Sequence, residues 1–336
     1  MHEIVTSWIQ SFGPTAPWVG LGLFLAASFL MIWRLESLSA AGLEGTVLGT
    51  VVMPYCSGLG NLIFAFVLGR SGGDSREVII NCLVNNVTNM TLLIGLPALI
   101  WGLSLAPRKS GKGGKGRGGG GGEEPRVQRL SLLFTMVAAG FFTGAIWALG
   151  RDGQLGAMDG MVLVGLFLFW QAFHVFDVLK AQAGGGPGLG PFFIVDALLL
   201  LVGAYGVYVS TDWLVSWVRG LRTGFISAEH LGWLSGWLMV VPNALLALYY
   251  AARGRPEVVY TSQIGDGHIC IPLCIGVYAI FHPMPLPAVF ELGVWLLVGA
   301  LGVHFLFIAV LGRLPRFMGA LLVGAYGVFV WKGWFK

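Results

Sequence analysis

The sequence predicts an all-α integral membrane protein with ten transmembrane helices, arranged as two five-helix repeats inserted in opposite senses. Three observations lead there. Apolar residues make up 56% of the 336 positions and charged residues only 11%, with a mean hydropathy of +0.79. Soluble domains carry charge at about a quarter of their positions. Apolar runs near the ~20 residues needed to cross a bilayer recur along the whole chain. Finally, a polar, asparagine-containing pattern lies inside those runs once in each half.

The runs place the helices at 16–33, 44–69, 78–103, 130–149, 158–180, 191–209, 229–252, 257–281, 286–311 and 316–334. Met1-His2-Glu3 offers no basic stretch ahead of the first run, so no cleaved signal peptide is expected. With the N-terminus outside, the inner loops collect 13 Lys and Arg residues and the outer side 7. The positive-inside rule then places both termini outside and the basic loop near 104–129 in the cytoplasm. The expected setting is a bacterial inner membrane. The partners are the lipid bilayer and a transported solute, with no nucleic acid and no bound cofactor.

Between the third and fourth helices, Gly111-Lys112-Gly113-Gly114-Lys115-Gly116-Arg117 and five further glycines form a low-complexity basic linker. No Gly-Lys-Ser/Thr follows a strand there, so it is not a phosphate-binding loop. A second break, Gly184-Gly185-Gly186-Pro187-Gly188, divides the chain into halves 1–183 and 184–336. Five helices is an odd number, so the second half enters the membrane upside down. The polar segments, about 44–103 and 229–281, thereby become an inverted repeat, a signature of transporters with a site at the repeat interface.

The first segment runs from Pro54, Cys56, Ser57 and Asn61 through Asn81, Asn85, Asn86 and Asn89 to Gly95. The second runs from Pro242-Asn243 through Ser262, Asp266 and Cys270 to Gly276. Asn61 to Gly95 and Asn243 to Gly276 differ by one position in length. Amides exposed to hydrocarbon are costly, so these side chains must face the bundle or a wet cavity. Spacings of four put Asn81, Asn85 and Asn89 on one helix face. One such residue would serve as interhelical glue, whereas five in one half with a partial echo in the other point to a substrate or ion pathway. Nearby glycines and prolines predict broken helices whose freed carbonyls add ligands.

These residues resemble the calcium/cation antiporter superfamily, which includes sodium/calcium and proton/calcium exchangers. The resemblance rests on Asn81, Asn86-Val87-Thr88-Asn89 and Leu92-Leu93-Ile94-Gly95, and more loosely on Ser57 to Asn61, Pro242-Asn243 and Gly265-Asp266-Gly267. It implies a sodium/calcium exchanger-like fold and a secondary antiport function. It carries the central ion site over to Asn61, Asn89, Asn243 and Cys270, with Asn85, Ser57 and Asp266 beside them. No carboxylate occupies the four central positions, and both repeat glutamates are absent. Calcium favours six to eight oxygen ligands with several carboxylates. The expectation is therefore a less acidic site for a monovalent cation or proton, with Asp266 as the titrating group. The alternatives are a softer metal on Asp266, Cys270 and His268, a polar or anionic solute, or a non-transporting scaffold or sensor. Cys56 and Cys82 do not mirror Cys270 and Cys274, so the cysteines read as buried packing residues.

Gln171, His174, Asp177 and Lys180 form a polar stripe on the fifth helix, read as a structural ion pair with a proton path as the alternative. Glu44, Asp196, Glu229 and Glu291 fall near helix ends and receive no role, and His304 reads as packing. Trp213, Trp217, Trp233 and Trp237 suit the water–lipid interface. No His-Glu-x-x-His, Gly-x-Ser-x-Gly or paired intramembrane aspartate is present, so an enzyme is not expected.

Overall fold

A computed structural model of the chain describes residues 2–38, 47–105, 124–182 and 193–334. The glycine-rich linker from 106 to 123, the break at 184–188 and Glu44 lie outside the described residues, as do the side chains of Cys56, Ser57 and Asp177. The helices of the first half are α1 (His2–Gln10), α2 (Ala16–Leu38), α3 (Val47–Arg70), α4 (Arg76–Val87), α5 (Ile94–Trp101), α6 (Glu124–Leu149) and α7 (Ala157–Gln182). Those of the second half are α8 (Phe193–Gly220), α9 (Leu231–Ala252), α10 (Pro256–Ile269), α11 (Gly276–Phe281), α12 (Phe290–Leu311) and α13 (Arg316–Trp334). Among the described residues, nine helical stretches are long and apolar enough to cross a membrane. The 24-residue α3 stands where the second expected helix belongs.

α4 and α5 form one 26-residue span interrupted by a six-residue π-helical segment, Thr88–Leu93. α10 and α11 form another of 26 residues, interrupted by Cys270–Ile275. Such segments widen the backbone ladder and occur frequently at functional sites. Local causes are visible in the residues. Thr88 Oγ1 donates to Val84 O at 2.6 Å and Thr91 Oγ1 to Val87 O at 2.5 Å, competing for carbonyls of the preceding turn. In the second segment Pro272 has no N–H to place in the ladder. The expectation of broken helices is corrected here: α9 continues through Pro242, and the irregularity is a π segment in the following span.

Two short ladders show how the halves interlock. β1 (Leu103–Ser104), after the third span of the first half, pairs antiparallel with β4 (Arg313–Leu314), before the last span of the second. β2 (Gln154–Leu155), before the last span of the first half, pairs with β3 (Met284–Pro285), after the third span of the second. Exchanging the halves turns one ladder into the other, as a two-fold axis in the membrane plane requires. Glycine contacts repeat the relation. A Cβ on Gly319 of α13 would lie 2.6 Å from the Gly95 carbonyl oxygen, and one on Gly160 of α7 would lie 2.5 Å from that of Gly276. No side chain fits at either crossing.

The two π-containing spans form the centre of the bundle, each with 78% of its most apolar stretch buried. α2 and α8 pack on one another to one side, joined by a buried ion pair. Arg34 Nη1 lies 3.0 Å from Asp196 Oδ1, and Ser37 Oγ donates to Asp196 Oδ2 at 3.1 Å. Asp196 is therefore a paired helix link rather than a water-facing end residue. Trp213, near the end of α8, and Trp233, near the start of α9, are 7% and 4% exposed. Trp213 packs with Ile9 and Ala16, and Trp233 against Phe329 and Trp334.

Candidate cation site between the two halves

The amide face of α4 and its π segment meets α9 and α10 at the middle of the bundle. Asn61, Asn81, Asn85, Asn86, Asn89, Asn243, Gln263 and Asp266 are all buried, none more than 7% exposed. Between the ends of the two central spans, Asp266 is the one carboxylate. Its Oδ2 accepts from Asn89 Nδ2 at 2.9 Å and from Asn243 Nδ2 at 3.3 Å. Asn89 Nδ2 also reaches Asn85 Oδ1 at 3.0 Å, and Asn85 Nδ2 donates to Cys270 Sγ at 3.4 Å. The structure thus joins Asn85, Asn89, Asn243, Asp266 and Cys270 in one network drawn from three helices of both halves.

The network obeys the repeat. Counting back from Gly95 and Gly276, Asn85 corresponds to Asp266 and Asn89 to Cys270. The Asn89–Asp266 and Asn85–Cys270 contacts are then the same contact seen from the two halves, with a carboxylate in one and a thiol in the other.

Several buried oxygens in this region have no hydrogen-bond partner: Asn61 Oδ1, Asn86 Oδ1, Asn89 Oδ1, Gln263 Oε1 and Asp266 Oδ1. An unpaired buried acceptor costs about 1–3 kcal/mol, and more when charged. A set of them around one carboxylate suits a cation, which needs oxygens and no donors. Asn61 of α3, the remaining amide expected at the site, is 1% exposed with its oxygen unpaired.

Other contacts fix the frame. Asn81 Nδ2 donates to Ser235 Oγ at 3.0 Å, and Gly232 N to Glu77 Oε2 at 2.5 Å, tying α4 to α9. His304 Nε2 lies 2.8 Å from Met90 O, holding a carbonyl of the first π segment, so it does more than pack.

The soft-metal set of Asp266, Cys270 and His268 does not form. His268 Nε2 bonds to Thr135 O of α6 at 3.0 Å, among the rings of Phe142 and Trp170. Two residues along a helix is about 200° of rotation, which turns His268 to the opposite side from Asp266. Among the described residues no three His, Cys, Asp or Glu side chains are grouped to hold a metal ion. The cysteines hold a surprise nonetheless. Cys82 of α4 lies close enough to the Cys270 and Cys274 thiols to interact with them electrostatically, so these three cysteines are not independent packing residues. In the fifth-helix stripe, His174 packs edge-on against Trp170 at 4.5 Å.

Sequence reasoning missed Gln263 and the joining of Cys82 to the second half. Both were accessible through spacing, since Gln263 precedes Asp266 by one turn and occupies the repeat position of Cys82.

The model of the family described as sodium/calcium exchanger protein matches residues 17–176 and 195–334. The chain belongs to that family. It is a multi-pass membrane transporter, a cation antiporter by family and not an enzyme. The fold is similar to that of the sodium-calcium exchanger NCX_Mj. Against the structure soaked with 2.5 mM Na+ and 10 mM Sr2+, the TM-score is 0.63 at 19% identity, covering 98% of this chain and 99% of the other. Against the structure soaked with 10 mM Na+ and zero Ca2+, it is 0.62 at 19% identity, covering 93% and 95%. No characterised protein sequence matches the chain.

Proposed function

We propose that this exchanger-family member carries a monovalent cation or proton, rather than calcium, through a central site whose only charged ligand is Asp266. The carrying observation is the buried carboxylate of Asp266, hydrogen-bonded by Asn89 and Asn243 and accompanied by buried amide oxygens without partners. A charge far from water is tolerated when it is compensated locally. One carboxylate compensates one positive charge. A divalent ion on the same ligands would keep a net charge at the bilayer midplane, at a cost of several kcal/mol. The amide oxygens of Asn61, Asn85 and Asn89 can still coordinate, but they neutralise nothing. Inverted halves meeting at this point supply the architecture for alternating access.

Flux in proteoliposomes tests the reading. The expected result is uptake driven by an opposing gradient of sodium, potassium or protons, with calcium a poor substitute. Calcium exchange at full rate would overturn the monovalent assignment. Absence of flux with every cation, together with a stable membrane partner on pull-down, would favour the scaffold reading instead.

A further inference from the structure

The two halves supply equivalent positions, yet their side chains differ in kind around the site. Counting back from the paired glycines Gly95 and Gly276, Cys82 and Gln263 are repeat mates, as are Asn89 and Cys270. On one side of the two-fold axis stand Gln263, Asn89 and Asp266, each with an unpaired buried oxygen. At the mirror positions stand Cys82, Cys270 and Asn85, two fully buried free thiols and an amide whose oxygen already accepts from Asn89 Nδ2 at 3.0 Å. We infer that this antiporter binds one hard alkali cation off the axis, with Gln263 contributing a specificity-determining oxygen, while thiols close the mirror pocket and take no ion. The inference rests on the monovalent reading above and narrows it from cation or proton to alkali cation.

Gln263 is built for that task. It lies one turn before Asp266 on the same face of α10 and is 0% exposed. Its Nε2 donates to the Asn243 main-chain carbonyl at 3.4 Å and to Ser262 Oγ at 3.0 Å. The donor end of the amide is thereby occupied, and the oxygen is left buried without a partner. Leaving an amide oxygen so placed is unfavourable unless something positive meets it. An amide oxygen ligates a cation well and holds a proton poorly, so the feature separates a metal ion from a proton.

The mirror position shows the converse. Cys82 interacts electrostatically with the Cys270 and Cys274 thiols, and Cys270 Sγ accepts from Asn85 Nδ2 at 3.4 Å. Thiol sulfur is a poor ligand for hard alkali cations, which prefer carboxylate and carbonyl oxygen. Sulfur also fills space without leaving an oxygen unpaired. The pair of pockets thus differs in hardness although the backbone relates them.

Sodium binding to the purified full chain in detergent tests this, by titration calorimetry and by competition with lithium and potassium. The expected stoichiometry is one sodium per chain. Gln263→Leu should weaken sodium by about 10-fold or more, the worth of one hydrogen-bonding oxygen facing a charge, and should blur discrimination among alkali ions. Gln263→Glu keeps an oxygen in place and should retain binding, which guards against a fold-loss explanation of the leucine variant. Cys82→Ser should alter sodium affinity by less than about two-fold, as expected of a group outside the ligand set. Wild type that binds no alkali cation would overturn the inference, and proton-driven flux in that same protein would leave the antiporter reading standing. Wild type that binds sodium with an unchanged constant in Gln263→Leu would overturn the inference alone. So would two sodium ions per chain, or an equal loss in Cys82→Ser.

Discussion

The π segment of the first half, Thr88–Leu93, and that of the second, Cys270–Ile275, stand at matching depths in their spans but are made differently. The first follows from threonine hydroxyls that take carbonyls of the turn before, the second from a proline that withholds an N–H. The first presents Asn89, whose amide reaches across to Asp266, while the second presents Cys270, which receives the amide of Asn85. What the two halves share is therefore a backbone event and a crossing geometry. Their chemistry is not shared, and the carboxylate of the site, Asp266, comes from the second half.

The largest effect that can probe this comparison is at Asp266. Asp266→Asn is expected to reduce cation flux in proteoliposomes by about 100-fold or more, the scale of a lost charge-assisted ligand. Moving the carboxylate to its repeat mate, in Asp266→Asn with Asn85→Asp, should not restore flux, because Asn243 and Gln263 remain beside position 266. Full recovery would show that the halves are interchangeable and would break the comparison.

Next in size is Cys270→Asp, which places a second carboxylate where the thiol stands, next to Asn85. With two charges the site should compensate a divalent ion, so calcium should compete with the monovalent ion about 10-fold better than in wild type. Unchanged competition measured by flux inhibition would mean that charge count does not set selectivity here.

Smaller still are the glycine crossings. Gly319→Ala and Gly160→Ala each push a methyl group into a facing carbonyl, and each should lower stability by about 1–3 kcal/mol. Thermal unfolding of the purified protein should find the two losses alike, since exchanging the halves interchanges the contacts. A loss at one crossing alone would limit the symmetry to the backbone trace.

The smallest effect is at Thr91. Thr91→Val removes the hydroxyl that competes for the Val87 carbonyl and should change stability by about 1 kcal/mol or less. Amide exchange across residues 88–93 should slow as the ladder tightens, while residues 270–275 keep their rate. Slowing in both segments would show that the two π segments are coupled rather than separately made.

Much of the fold was legible along the chain. The apolar runs marked the spans, because crossing a bilayer demands length and hydrophobicity that leave a plain trace. The odd number of helices per half implied inversion. The candidate site was half legible. Buried amides at spacings of four announced themselves on α4, whereas Gln263, a single glutamine, stands out only through its spacing from Asp266 and its repeat mate Cys82. His268 was misplaced for a related reason: proximity in sequence to Asp266 and Cys270 suggested a ligand set that helical rotation forbids. Asp196 and Arg34 are 162 positions apart, and no local pattern could pair them.

By itself, then, the sequence determined that this is a membrane protein of two inverted halves with a polar centre poor in acid. Local composition and helical period suffice for that. Only the tertiary structure decided which oxygens surround Asp266, that Cys82 joins the thiols of the other half, and that continuous helices with π segments replace broken ones. Those outcomes depend on contacts between residues far apart in the chain, and on the two-fold relation that brings one half's amides against the other's acid.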